Sequence, residues 1–587
     1  MKINRNTTDI MRLLNNELKT DKYTNNEKTT MLKNHQFLIK TFFNNVEFDD
    51  VKGILLYHKM GTGKTILSIS IALDFDGDVI IFMYTSLINN YINDIKKYLS
   101  LIQFKDDVDL FINSKFTFIS LNAFNLYAKI PTDINKKLII IDEAHHVFSG
   151  VVNGSKNYVA LYYALRNEPD IKILLLTGTP IANDPYEIMV CLNILSKHLI
   201  FPESYDEFIS IYTDVKNVNT KLYEHRLHKL ENRIIGLISF FEQTINNDYP
   251  DDFGIQIVKC NMIKTQLNKY LNFKKIEDEK ASNAFRKKVY KSASISKSNN
   301  LSNYRIQTRM ICNVDPEFDL LSCVKYNKIY ENIISHNGCA LVYSQFINNF
   351  GLLGFSQYLL LKDYTLFNLD DNINTNINPK QLKKKQFSII KGDISFDTRN
   401  YIQQIFNDSN NITGDIIHIL LISSTGAEGL DLKFIRSVHI IEPYWNNSRI
   451  EQVRSRAIRY KSHVLLPKKD QNVYTFLYIS TLNLEQLTTD EEIYSMSIDK
   501  QKYINDFLYM LKRVSIDCFF HFQDCYTCDA LKTPLFRNDF LIDINLANPC
   551  NIQVHAEIDV IHVRDDVYHD EKTNIYYKKI NNKLIKI

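Results

Sequence analysis

Between residues 31 and 200, short unbroken apolar runs alternate with longer stretches whose apolar positions recur at helical spacing. The runs are GILLYH (53–58), DVIIFMY (78–84), FTFIS (116–120), KLIIID (137–142) and KILLLTG (172–178). A strand wet on one face would alternate apolar and polar positions. Runs this apolar suit strands of a parallel sheet covered on both faces. The helical stretches between them supply the crossovers that parallel strands need. The texture returns in CALVYS (339–344), FSIIKGD (387–393), IIHILLISS (416–424), SVHIIEP (437–443) and VYTFLYIS (473–480). The pattern predicts an α/β protein with two parallel-sheet domains in tandem.

Around these domains the patterning is different. Residues 1–30 read as an N-terminal extension, 31–200 as the first domain and 316–484 as the second. The stretch 201–315 reads as a mostly helical, polar insertion or linker. Within it, residues 279–303 are rich in Ser, Asn and Lys and poor in apolar side chains. Such composition reads as a mobile surface loop; the rival reading is a basic strap over a nucleic-acid backbone. Residues 370–386, DDNINTNINPKQLKKKQ, read as a loop inside the second domain. From 485 to 587 a helical stretch, a cysteine-bearing segment and a β-leaning tail make up a small accessory module.

The bulk properties add limits. A chain of 587 residues is long enough for several cores. The net charge of +3 does not announce a nucleic-acid partner, but a groove can be basic in a nearly neutral chain. The N-terminus MKINRNTTDIMRLL lacks the apolar core of a signal peptide. No apolar run approaches the ~18 residues of a membrane span. Nine cysteines do not suggest a disulfide scaffold. These features predict a soluble, cytoplasmic protein with no membrane partner.

Two motifs carry chemistry. In HKMGTGKT (58–65), Gly61, Thr62 and Gly63 let the backbone curl so that its N–H groups face phosphate oxygens, and the following helix adds its positive end. Lys64 would reach the β- and γ-phosphates, and Thr65 would hold Mg²⁺. The full pattern asks for glycine at position 58, where this chain has His58; that matters less if His58 only ends the incoming strand. In LIIIDEAHH (138–146), Asp142 ends an apolar strand, placed to bind Mg²⁺, and Glu143 is placed to orient or deprotonate the attacking water. Alone, the second motif reads equally as a strand end and a helix cap. Together the two predict an ATP and Mg²⁺ site. The missing transition-state charge is offered by RIEQVRSRAIR (449–459), where Arg456 and Arg459 share a face if the segment is helical. Taken alone, that stretch would be a solvated basic helix; delivered across a cleft, its arginines would couple hydrolysis to domain closure.

The ordered set HQ (35–36), MGTGKT, DEAH, LTGTP (176–180), ALVYSQF (340–346), SSTGAEGLDL (423–432) and QVRSRAIR (452–459) resembles the superfamily 2 helicases and DNA translocases. LTGTPIANDPYEI, YRIQTRMICNVDP (304–316), VYSQFINNFGL and GAEGLDLKFIRSVHIIEPYWNNSRIEQV are similar to a viral branch. That branch holds poxvirus nucleoside triphosphate phosphohydrolase I, the early transcription factor small subunit and the helicase-like proteins of yeast cytoplasmic linear plasmids. The resemblance implies two RecA-like domains and assigns roles by position. Gln36 matches the glutamine that reads adenine. Lys64, Thr65, Asp142 and Glu143 match the phosphate, Mg²⁺ and water residues. Thr177 and Thr179 match the motif that links hydrolysis to domain movement. Gly429 and Asp431 match a motif touching both nucleotide and nucleic acid, and Gln452, Arg456 and Arg459 match the last motif. Ser455 stands where the family usually has glycine: harmless in plain helix, disruptive if the position needs a positive φ. Candidate nucleic-acid contacts are Thr85, Ser86, Ser120 and Ser344, each of which also reads as an ordinary strand-end residue.

Cys518, His521, Cys525 and Cys528 include one pair at zinc-ligand spacing, but only three residues separate His521 from Cys525. Buried thiols are the expected reading and zinc the rival one. The function expected is a DNA-stimulated ATPase working as helicase or translocase in transcription of a viral or plasmid genome, with a cognate RNA polymerase as natural partner. The rivals are a promoter- or polymerase-docking factor with a vestigial ATPase, and an RNA-acting helicase.

Overall fold

The structure, a computed structural model, describes residues 32–45, 51–59, 61–212, 230–241, 248–290, 305–367, 385–423, 430–482 and 486–516 apart from single positions, together with four strands between 561 and 586. Thirteen strands form two wholly parallel sheets. The first uses β1 (Gly53–His58), β2 (Val79–Met83), β3 (Phe116–Ser120), β4 (Leu138–Ile141), β5 (Lys172–Thr177) and β6 (Ile238–Phe241) in the order β3-β2-β4-β5-β1-β6. The second uses β7 (Asp251–Asn261), β8 (Cys339–Tyr343), β9 (Thr365–Leu366), β10 (Gln386–Ile390), β11 (Ile419–Ile422), β12 (Ile435–Ile440) and β13 (Asn472–Thr481) in the order β7-β13-β12-β8-β11-β10-β9. All of β2, β4, β8 and β11 is buried, which is why they read as unbroken apolar runs.

The stretch 201–315 carries the helices Tyr205–Tyr212, Lys264–Tyr290 and Ile306–Asn313, and with them two strands that the sequence pattern did not announce. That stretch contributes the edge strands β6 and β7, one to each sheet, and the chain crosses between the sheets in the span 241–251, ahead of position 316. Both strands were hard to read for a physical reason. The strand β6 is four residues long, and β7 is a largely exposed edge strand with no continuous apolar run. A long helix, Lys264–Tyr290, follows as expected.

The C-terminal helix Thr489–Arg513 is not confined to a separate module. Its start is fixed by a capping box between Thr488 and Glu491 and by a buried Lys325–Asp490 ion pair of 2.8 Å in the second domain. Its far half places Ile504, Phe507, Met510 and Leu511 in the core of the first domain. Spanning about 37 Å, it is a strut between the two domains. The tail forms an antiparallel meander of β14 (Ile561–Arg564), β15 (Val567–Asp570), β16 (Ile575–Ile580) and β17 (Lys583–Lys586). The four candidate zinc ligands lie outside the described residues. Among the described residues, no helix is long and apolar enough to cross a membrane.

Candidate ATP site and the cleft between the sheets

In open parallel sheets, ligands bind beyond the carboxyl ends of the strands, and the candidate residues gather there. The strand β1 ends at His58, whose side chain turns sideways to bond Ser239 of β6 at 2.6 Å. The departure at this position therefore leaves the phosphate loop untouched. Thr62 Oγ1 closes the turn onto the Lys59 carbonyl at 2.7 Å. Gly61 and Gly63 both have left-handed φ, +78° and +85°. A Cβ on Gly63 would also stand 2.3 Å from Gln36 Nε2. That nitrogen donates to the Gly63 carbonyl at 3.0 Å, while Gln36 Oε1 accepts from the Lys33 N–H at 2.8 Å. Gln36, expected to read adenine, is thus bonded to the phosphate loop. Thr65 follows Lys64 in the first turn of the helix Lys64–Asp74, half-buried beside the loop.

Lys64 Nζ donates to the His58 and Lys59 carbonyls at 2.7 and 3.2 Å. Burial lowers its pKa, against the pull of Glu143 and Asp142. Asp142 is pushed up to about 7, by burial first and by Glu143 second, with Lys64 and the Glu143 N–H opposing. A half-buried, adjacent carboxylate pair beside one lysine suits a cation. Among the described residues no three acidic, His or Cys side chains converge as a complete protein cage. Glu143 itself has φ +49°, a strained value for a side-chain-bearing residue at the end of a strand.

Of the residues expected from the second domain, Gln452 reaches across the cleft, whereas the Leu430, Ser455 and Asp431 bonds of Arg456 and Arg459 stay within their own domain. His145 Nδ1 lies 3.0 Å from Thr177 Oγ1, which also accepts the Thr179 N–H at 3.0 Å. His145 Nε2 lies 3.4 Å from Gln452 Nε2 of the second domain. With the Gln452 amide donating, the ring carries its proton on Nδ1 and gives it to Thr177. Burial, then Arg449 and Lys64, hold His145 down at about 3, so the ring is neutral. Asn446 Nδ2 donates to Asn183 Oδ1 at 3.3 Å, a second bridge. Arg459 donates to Asp431 Oδ1 at 2.8 Å and Arg456 to the Leu430 carbonyl at 3.4 Å. The Arg459 charge adds a smaller lowering to the Lys64 ammonium, after burial. The two arginines do not share a helical face: the helix Asn447–Ala457 ends before Arg459, which folds back onto the Ser455 carbonyl at 3.2 Å. Ser455 lies inside that helix with ordinary φ and bonds the Gln452 carbonyl at 2.7 Å. Gly429 lies outside the described residues.

The SNF2-related domain family matches residues 11–317, more than half of the chain, and the helicase conserved C-terminal domain matches 324–461. The chain belongs to the SNF2-related helicase family. It is 32% identical to the termination factor NPH-I homolog of African swine fever virus, covering 90% of this chain and 86% of the relative. Nucleoside triphosphatase I of Melanoplus sanguinipes entomopoxvirus is 25% identical, with 97% and 92% covered. An Acanthamoeba polyphaga mimivirus protein named as an ATP-dependent RNA helicase is 27% identical, with 80% and 86% covered. This SNF2-related chain is an ATP-hydrolysing enzyme of helicase type.

The four nucleic-acid candidates divide. Thr85, Ser86 and Ser120 cluster past the ends of β2 and β3, with Thr85 Oγ1 2.6 Å from Ser120 Oγ and 2.9 Å from Asn122 Oδ1. Ser344 does not join them. It is fully buried and gives its hydroxyl to Glu442, which accepts from it at 2.9 Å. A strand-end serine reads the same in sequence whether its carboxylate partner is present or not; the partner here is 98 residues away. Sequence reasoning also missed His145, Asn183 and Asn446. Only the second domain's approach makes them cleft residues, although the HH following DEA was a visible trace of the first.

Proposed function

We propose that this SNF2-related enzyme is a DNA-stimulated ATPase that works as a translocase or helicase in transcription of a viral or plasmid genome. The observation that carries the reading is the Gln452–His145–Thr177 bridge. It ties the second domain to the strand end beside Glu143, so a change at the γ-phosphate is felt as a change in the angle between domains. Lys64 and the loop N–H groups hold the triphosphate. Glu143 orients the water that attacks the γ-phosphorus and takes its proton as ADP leaves. Thr65 and Asp142 would hold Mg²⁺, which supplies charge neutralisation on the phosphates. Arg456 and Arg459 stabilise the charge that builds up in the transition state. Nucleic acid bound past β2 and β3, over Thr85, Ser86 and Ser120, favours closure through phosphate contacts that do not read bases. The termination-factor name of the African swine fever virus relative supports a transcription role and an RNA polymerase complex as partner.

The test is ATP hydrolysis measured alone and with single-stranded DNA, duplex DNA and RNA. DNA is expected to stimulate most, and Lys64→Ala or Glu143→Gln to abolish the stimulated rate. Stimulation by RNA alone would assign the enzyme to RNA, in keeping with the name of the mimivirus relative. Full activity in Glu143→Gln would remove the water role.

A further inference from the structure

The second domain carries a buried cation that the nucleotide chemistry does not use. Arg309, on the helix Ile306–Asn313, is 1% exposed. Burying a guanidinium costs several kcal/mol, on the order of 3 or more, unless it is paired. Yet its Nη2 donates to the neutral Gln345 Oε1 at 2.9 Å, and its Nη1 has no hydrogen-bond partner among the described residues. Two aromatic faces flank the charge, Phe346 at 5.2 Å and Trp445 at 4.8 Å from ring centre to guanidinium, and the Glu442 and Asp490 carboxylates also favour it. Trp445 stacks on Tyr444 at 4.0 Å, and Arg449 lies 6.0 Å over the outer Tyr444 ring. A continuous stack therefore runs from Arg309 to Arg449.

Each end of the stack is attached to something. At the outer end, Asn446 caps the helix Asn447–Ala457 through the Ser448 N–H at 2.8 Å and reaches Asn183 across the cleft. That helix carries Gln452, which meets His145. Arg449 is close enough to both DEAH histidines to depress them, after burial for His145 and after burial and His145 for His146. At the inner end, the Gln345 N–H donates to buried Glu442, which accepts Asn313 at 2.9 Å. Asn313 accepts from Lys325 at 3.1 Å, and Lys325 pairs with Asp490 at the head of the inter-domain strut.

We infer that Arg309 is a positioning residue for ATP hydrolysis: through Trp445 and Tyr444 it fixes the 444–449 turn, so that Arg449 and Gln452 meet the His145 side of the cleft. This rests on the proposed roles of Lys64 and Glu143. Without the cation, the Trp445 face loses its partner, the turn relaxes, and the helix that Asn446 caps moves with it. Arg309 touches no reacting group, so it acts on turnover and leaves ATP affinity alone.

Trp445 is the only tryptophan in the chain, so intrinsic fluorescence reads the stack directly, without nucleotide. In the full chain, Arg309→Gln is expected to shift Trp445 emission to the red and to lower DNA-stimulated kcat about tenfold, within the roughly two- to thirtyfold that such couplings carry. The KM for ATP should stay within about twofold. Arg309→Lys should restore the emission and most of kcat. In a background carrying both Arg449→Ala and Gln452→Ala, Arg309→Gln should cost little more of the residual kcat, because the stack then has nothing to position. A shifted emission with unchanged kcat would overturn the inference. So would a tenfold loss that persists in full beside Arg449→Ala with Gln452→Ala, which marks packing alone. If Arg309→Gln fails to fold, Gln345→Ala, which removes only the Nη2 acceptor, is read by the same two criteria. Lys64→Ala separates this inference from the reading beneath it: it should abolish hydrolysis and leave the Trp445 emission unchanged, and a Lys64→Ala enzyme that still hydrolyses ATP would fell the site assignment on its own.

Discussion

Placing the phosphate-loop pattern's glycine at position 58 should harm this enzyme, not improve it. His58 is fully buried, its Nε2 2.6 Å from Ser239 Oγ, with the rings of His35 and Phe241 each 6.0 Å away. His58→Gly empties that seam between β1 and β6. Removing a large buried side chain costs about 2–5 kcal/mol through lost burial and the cavity left behind. Losing the Ser239 bond adds about 1 kcal/mol, and glycine in a strand adds roughly 0.5–1 kcal/mol. Allowing for partial collapse, about 3–5 kcal/mol is expected, which for a domain of this size lowers Tm by roughly 10 °C. The His58 carbonyl that accepts Lys64 Nζ belongs to the backbone and survives the change. The KM for ATP, assayed well below the melting range, should therefore stay within about twofold. The assay is a thermal melt with steady-state ATPase on the same preparation. An unchanged or raised Tm, or a KM that falls tenfold, would show that the imidazole faces the phosphates after all.

Ser455→Gly should leave kcat within about twofold and cost about 0.5 kcal/mol in a denaturant melt, because the position is plain helix; a large gain in turnover would revive a misplaced finger. Lys325→Met leaves Asp490 buried without its cation and should cost about 3–5 kcal/mol by urea unfolding; near-neutral stability would remove the strut's anchor. His418, His439 and His463 are held by burial at about 4, 3 and 4 respectively. Between the ordinary histidine pKa near 6.5 and those values the unfolded chain binds protons that the native one refuses, so their contribution to stability falls as pH falls, by about 4 kcal/mol per unit near pH 5. Melts at pH 7, 6 and 5 should show steepening loss, and a flat profile would mean these rings are solvated.

The sequence by itself determined the two parallel sheets and the local half of each motif. Both are short-range properties. Unbroken apolar runs such as LIII (138–141) mean strands buried on both faces, and a lysine after Gly61-Thr62-Gly63 means a loop shaped for phosphate. The tertiary structure decided what lies opposite each motif. It turned His58 toward Ser239, moved Ser344 from the surface to Glu442, brought His145 to Gln452 across 307 residues, and set edge strands β6 and β7 on different sheets. It also made the helix Thr489–Arg513 a member of both domains, since its amphipathic pattern names an apolar face but not the two surfaces that cover it. The physical reason is the same each time: periodicity records which side of an element is buried, while the partner that buries it comes from chain folded elsewhere.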